Sequence, residues 1–91
     1  MPSVYRLEVE RQARKSLLRL PPAIKRRIEV KIDALAEDPR PAGCEPVKRA
    51  PKGTYRVRVG DYRVVYVVLD KERLIIVARV SKRDESTYRG L

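Results

Sequence analysis

The stretch TYRVRVGDYRVVYVVL, residues 54–69, predicts a β-hairpin and sets the framework for the rest of the chain. Two runs rich in Val and Tyr, which favour strands, flank the pair Gly60-Asp61. A Gly-containing pair between two strand runs is typical of a two-residue hairpin loop. A loop of that length places Arg58 directly opposite Arg63, so the register of the hairpin follows from the turn.

The predicted hairpin carries three arginines on one face. Side chains alternate between the two faces of a strand, so Arg56 and Arg58 share a face, and Arg63 joins them across the turn. We refer to Arg56, Arg58 and Arg63 as the arginine comb. Like charges directly opposite each other destabilise a sheet, so the pattern favours a polyanionic partner. A merely solvated sheet face is the second interpretation, because such faces usually mix signs and residues 54–60 contain no acid.

The length and the net charge of the chain limit the classes of protein to which it can belong. The 91 residues predict one domain spanning 1–91, large enough to bury a core of its own. The formal net charge is +10, and it is uneven: residues 1–45 hold 10 Lys and Arg against 7 Asp and Glu, whereas residues 46–91 hold 12 against 5. A basic excess of this size suits an anionic partner such as RNA, DNA or an acidic protein.

Missing residue types exclude several kinds of chemistry. The chain contains no histidine and one cysteine, Cys44. Histidine-based acid–base catalysis, Ser-His or Cys-His nucleophiles and the usual zinc sites are therefore excluded, and we expect neither a metal nor another cofactor. A single cysteine fits a reducing compartment. The lack of an apolar leader or of a bilayer-length apolar run predicts a cytoplasmic protein without a membrane partner.

Hydrophobic periodicity and the prolines and glycines predict the remaining elements. We predict a strand at residues 4–9, helices at 10–20 and 22–38, a loop at 40–53, and strands at 54–59, 62–69 and 73–80. Residues 81–88 are predicted to form a turn or a short helix. The order βααβββ indicates an α+β domain, with an antiparallel sheet and a helical hairpin packed on one of its faces.

The polar tail places further reactive groups after the last predicted strand. Lys82 and Arg83 follow that strand directly, and Tyr88-Arg89 begins five residues after Arg83. Nearby positive charge favours an ionised phenolate, which can act as a general base toward a ribose 2′-hydroxyl. Arginines can stabilise the negative charge that develops on a phosphate. From chemistry alone a structural role is the better interpretation, with Tyr88 packed on the sheet and Arg83 paired with a neighbouring acid.

Four segments carry a family resemblance that extends along the whole chain. They are LLRLPP at 17–22, DALAEDPRP at 33–41, YRVRVGDYRVVYVV at 55–68 and VSKRDESTYR at 80–89. With these motifs the chain resembles the RelE/ParE superfamily of bacterial and archaeal toxins from type II toxin–antitoxin pairs. The motif at 55–68 is fairly specific, whereas the helical segments alone are a weak signal.

The resemblance implies an mRNA interferase, a ribosome-dependent endoribonuclease that cleaves mRNA in the A site and leaves a 2′,3′-cyclic phosphate and a 5′-hydroxyl. It implies that Tyr88 activates the 2′-hydroxyl, that Arg83 faces the leaving 5′-oxygen, and that Arg63 stabilises the phosphate. Arginine is a poor proton donor, so electrostatic stabilisation is the first role of Arg83. The RNA-binding residues that we predict around this centre are Arg56, Arg58, Lys82 and Arg89.

The resemblance also implies the partners and the main alternative. The partners are a cognate antitoxin protein, the ribosome and mRNA, with DNA reached only through the antitoxin complex. ParE-like members of the superfamily inhibit DNA gyrase and lack the nuclease constellation, so the presence of Arg83 and Tyr88 favours the nuclease. A nucleic-acid-binding module without catalysis is less favoured, because Tyr55 and Tyr62 fall on the face opposite the comb, away from bases bound there.

Overall fold

The computed structural model describes residues 4–82, which form two helices and five strands. In chain order the elements are β1 (Arg6–Val9), α1 (Arg11–Leu18), α2 (Pro22–Leu35), β2 (Glu45–Pro46), β3 (Thr54–Val59), β4 (Tyr62–Leu69) and β5 (Leu74–Lys82). The predicted α+β class is confirmed, and the bounds of β3 and β4 are those that the hairpin pattern predicted.

The strands form one mixed sheet in the order β1-β5-β4-β3-β2. The strands β2 to β5 pair antiparallel, whereas β1 lies parallel to β5 at the edge. The prediction of a wholly antiparallel sheet was therefore wrong for β1. Parallel neighbours need a long connection rather than a tight turn. The chain between β1 and β5 supplies one, since it contains both helices and the other three strands.

β1, α1 and α2 are each two or three residues shorter than predicted. The predicted elements also differ from the structure at three further places. Glu45 and Pro46 form a short edge strand inside the predicted loop. Arg73 lies in the turn before β5 with a φ of 52°, a left-handed conformation that a strand residue does not adopt. β5 continues through Ser81 and Lys82, where a turn or helix was predicted, and the remainder of that prediction lies outside the described residues.

Both helices pack on one face of the sheet, and their apolar stripes supply five of the twelve buried residues in the core cluster of the described chain. Ala13 and Leu17 of α1 are buried, and Ile28, Ile32 and Leu35 of α2 form the second stripe. Pro22 begins α2, where the missing backbone N–H of proline is harmless. The sheet contributes the alternate residues of its three central strands: Val57, Val64, Tyr66, Val68, Ile75, Val77 and Val80. The opposite face of the sheet carries no helix among the described residues, and we call it the open face.

Tyr66 anchors the loop that follows α2 to the core. Its side chain is completely buried, and its hydroxyl donates a hydrogen bond of 2.7 Å to the carbonyl oxygen of Pro39. Its ring stacks on Tyr55 with 6.0 Å between centroids. Burial raises the pKa of Tyr66 above the ordinary tyrosine value, so this hydroxyl stays a donor throughout the physiological range.

A polar cluster ties the β4–β5 turn to the same loop and to the segment before β1. Asp70 accepts hydrogen bonds from Tyr5 Oη at 2.6 Å and from Arg40 Nη2 at 2.7 Å. Arg40 Nε donates to the hydroxyl of Tyr55 at 3.0 Å, and its guanidinium lies over the Tyr55 ring. The hydrogen bond from Arg40, followed by the one from Tyr5, lowers the pKa of the Asp70 carboxyl below its ordinary value.

We expect this cluster to make the stability of the fold depend on pH at the acid end. A carboxyl with a lowered pKa in the folded state stabilises the fold above its unfolded pKa of about 4, and loses that contribution as pH falls through the folded pKa. Asp70→Asn should therefore unfold at lower urea concentration than the wild type at pH 7, and the difference between the two urea midpoints should shrink below about pH 4. The difference between Arg40→Ala and the wild type should shrink in the same way. A difference that stays constant into acid would contradict the stabilising role of the Asp70 carboxylate.

Candidate active site

The arginine comb lies on the open face, as the sequence predicted. Arg58 is directly opposite Arg63 in the β3–β4 register, and Arg56 lies two pairs further from the turn, opposite Val65. Directly opposite side chains in an antiparallel pair stand about 5 Å apart at Cβ, so the three guanidinium groups can reach a common anion. Arg58 is exposed, whereas Arg56 and Arg63 are half-buried.

Arg58 and Arg63 lie in the part of the sheet where neither edge strand pairs, and Arg56 lies at its border, paired with β2. β1 pairs with β5 only over residues 74–77, and β2 pairs with β3 only at residues 55 and 56. Beyond those pairs β3, β4 and β5 continue as a three-stranded ribbon. An extended, charged ligand can therefore cross Arg58 and Arg63 without meeting another strand of the described sheet, and it meets β2 only at Arg56.

A β-bulge brings a fourth arginine, Arg79, to the comb face. Val65 pairs with Arg79 and Tyr66 pairs with Val77, so Ala78 is the extra residue on β5. The extra residue reverses the alternation, which puts Val80 in the core and Arg79 on the open face. Arg79 was not among the residues predicted to form the site. The three-residue spacing of the apolar residues Val77 and Val80 was the available signal that the period-two pattern breaks there.

The structure separates one of the predicted RNA-binding residues from the comb and leaves three predicted residues undescribed. Lys82 pairs with Tyr62, which packs against the core on the helix side of the sheet, so Lys82 shares that side rather than the open face. The residue on the open face there is Ser81, opposite Arg63. The predicted site residues outside the described part of the chain are Arg83, Tyr88 and Arg89.

An acidic residue that the sequence analysis did not select lies beside the comb. Glu45 on β2 is directly opposite Arg56, and its Oε1 accepts hydrogen bonds from Arg56 Nη2 at 2.8 Å and from Arg56 Nε at 3.2 Å. These bonds, with smaller contributions from the charges of Arg58 and Arg63, lower the pKa of the Glu45 carboxyl. Its position within a predicted loop concealed this pairing.

The chemistry available on this face is recognition and stabilisation of anions. Guanidinium groups hold phosphates through paired N–H donors, and they keep their charge at any physiological pH. Within residues 4–82 no cluster of His, Cys, Asp and Glu side chains is arranged to hold a metal ion. None of the helices in that part of the chain is long and apolar enough to cross a membrane.

Known proteins match this chain over nearly its whole length. Residues 7–87 match the family model described as the ParE toxin of the type II toxin–antitoxin system parDE. The chain is 36% identical over 89 residues to a putative toxin RelE1 of Methanocaldococcus jannaschii, covering 94% of this chain and 97% of that protein. It is 31% identical over 80 residues to toxin RelG of Mycobacterium tuberculosis, covering 87% and 91%.

A solved structure gives the same result in three dimensions. The archaeal RelE–RelB complex from Pyrococcus horikoshii contains a chain that superposes with a TM-score of 0.78 at 32% identity, covering 88% of this chain and 96% of that one. The family match spans far more than half of the sequence and includes the hairpin with its comb. The chain therefore belongs to the RelE/ParE superfamily of toxins from type II toxin–antitoxin systems.

Proposed function

We propose that this toxin is a ribosome-dependent endoribonuclease and that the arginine comb is its phosphate-binding surface. The observation that carries the proposal is the placement of Arg56, Arg58 and Arg63 together on the open face, with Arg79 added by the bulge. A fold gains no stability from such a concentration of like charge. A phosphodiester that develops extra negative charge during cleavage is the partner that this surface suits best.

The proposed reaction is transesterification within the RNA chain. The 2′-oxygen forms a bond to the adjacent phosphorus while the bond from phosphorus to the 5′-oxygen breaks. Tyr88, assigned from the family motif, accepts the proton of the 2′-hydroxyl, and the departing 5′-oxygen takes a proton from solvent water as the 5′-hydroxyl forms. Arg63 and its neighbours hold the phosphate, and Arg83 stabilises the charge on the leaving oxygen.

The ribosome would supply the alignment that the small open surface lacks. Attack by the 2′-oxygen requires it to lie in line with the leaving oxygen, and correct orientation is worth several orders of magnitude in rate. We therefore expect pure protein to cut naked mRNA at least about a thousandfold more slowly than mRNA on programmed ribosomes. Primer extension with and without ribosomes measures both rates, and efficient cutting of naked mRNA would contradict ribosome dependence.

Inhibition of DNA gyrase is the second candidate, because the matching family model is that of the ParE toxin. The two functions differ in what expression does to cells. A nuclease should arrest translation and leave mRNA cut in codon register, whereas a gyrase inhibitor should cause filamentation and a DNA-damage response. Gyrase supercoiling assays with pure toxin provide the matching test in vitro.

We also propose that a cognate antitoxin neutralises the toxin in the cell. Solved relatives include complexes of RelE with RelB from Pyrococcus horikoshii and from Methanococcus jannaschii. A domain with a net charge of +10 suits an acidic segment that folds on binding and covers a large surface.

A further inference from the structure

We propose that Glu45 is a specificity-determining residue of the comb, a built-in counter-ion that competes with RNA phosphates for Arg56. The inference rests on the proposed function of the comb as a phosphate-binding surface. It assigns to the two-residue strand β2 a role beyond edge pairing, which is to place one carboxylate among the arginines.

The geometry makes carboxylate and phosphate alternatives at the same donors. Glu45 Oε1 takes hydrogen bonds from both Nε and Nη2 of Arg56, at 3.2 Å and 2.8 Å. Those two groups form one edge of the guanidinium, an edge that binds the oxygens of carboxylates and phosphates through parallel bonds. A phosphate that is to use this edge must first displace Glu45.

The ion pair between Glu45 and Arg56 is weak enough for a phosphate to displace Glu45. The Arg56 side chain is 38% exposed and the Glu45 side chain 57% exposed. Exposed ion pairs contribute little because water and salt screen them. A phosphate held in place by a larger assembly can therefore displace Glu45, whereas a free, flexible RNA strand must also lose its own freedom to do so. Glu45 thereby biases the comb against RNA that is not already positioned.

A purely structural role for the pair makes different predictions. If the contact only fastens β2 to the sheet, loss of the carboxylate lowers stability and leaves the electrostatics of RNA binding unchanged. If Glu45 is a counter-ion, loss of its charge exposes one more cation to RNA. The slope of log affinity against log salt counts the phosphates that the protein neutralises, so it separates the two roles.

The test is the binding of a short single-stranded RNA to Glu45→Gln by fluorescence anisotropy across a range of salt concentrations. We expect affinity to rise roughly two- to fivefold at low salt, the range typical of an exposed ion pair. The slope should steepen by about 0.7, which corresponds to one more phosphate on a single strand. In an Arg56→Gln background the same substitution should lose most of this effect.

Glu8→Gln is the matched control, because it changes the net charge equally on the same open face. Glu8 on β1 pairs with Ile76, at the opposite edge of the sheet. Three strand spacings separate β1 from β3, which carries Arg56. They amount to about 14 Å, which exceeds the Debye length of about 10 Å at 0.1 M salt. An equal gain in RNA affinity from Glu8→Gln would overturn the proposal, because the change in net charge alone would then explain the effect of Glu45→Gln.

The remaining outcomes distinguish this inference from the proposed function. Unchanged affinity and slope in Glu45→Gln, with binding weakened by Arg63→Ala, would reject the role of Glu45 and leave the comb as the RNA surface. Unchanged binding in both variants would reject Glu45 and the comb together. Lower thermal stability of Glu45→Gln, without a steeper slope of log affinity against log salt, would show that the pair only stabilises the attachment of β2 to the sheet.

Discussion

Arg63→Ala is expected to remove most of the toxicity while leaving the domain folded. Arg63 lies on the open face opposite Arg58, and the core lies on the other side of the sheet. Loss of one group that stabilises transition-state charge typically lowers the rate by about a hundredfold or more. Growth arrest on induction and single-turnover cleavage on programmed ribosomes measure the effect in cells and in vitro.

Arg19→Ala is the matched control for Arg63→Ala, since it removes an exposed guanidinium that follows α1 in the helical layer. It should keep toxicity close to that of the wild type. Circular dichroism and thermal unfolding of both variants check that the fold is intact. If soluble, folded Arg63→Ala arrests growth as strongly as the wild type, the comb is not the active surface.

Tyr88→Phe is expected to lower cleavage by about a hundredfold or more, the usual size of a general-base contribution. The substitution keeps the ring and deletes only the hydroxyl that the family motif assigns as the base. Binding to the ribosome should persist, because the substitution leaves all the cationic side chains of the protein in place. Single-turnover cleavage on programmed ribosomes at several pH values, together with co-sedimentation with ribosomes, separates a catalytic loss from a binding loss.

Tyr62→Phe controls for removal of a tyrosine hydroxyl elsewhere. Tyr62 begins β4 beside the hairpin turn, and its ring packs against the core on the face opposite the comb. Cleavage by this variant should stay close to the wild-type rate. An unchanged rate in Tyr88→Phe would remove the proposed mechanism, and gyrase inhibition would then become the favoured function.

Predictions from the sequence were most accurate where the signals are local. The Gly60-Asp61 turn and the alternation on either side of it determine the β3–β4 register, including the opposition of Arg58 and Arg63. The 3.6-residue stripe that includes Ile28 and Ile32 likewise identifies α2 and the face that it buries. Each of these signals lies within about 20 residues of chain, so no distant contact is needed to interpret it.

Other features of the site depend on pairings between residues far apart in sequence. The parallel placement of β1 beside β5 and the pairing of Glu45 with Arg56 become visible only when the sheet is assembled. The bulge at Ala78 reverses the alternation of β5, so Arg79 lies on the open face beside the comb and Lys82 lies on the opposite face. A one-residue shift moves every following side chain to the other face of a sheet. The arginine comb was therefore predictable from the order of the amino acids alone, because a tight turn and period-two alternation are local. The further charges around the comb follow from the assembled sheet, because strand neighbours and bulges are set by packing against the whole core.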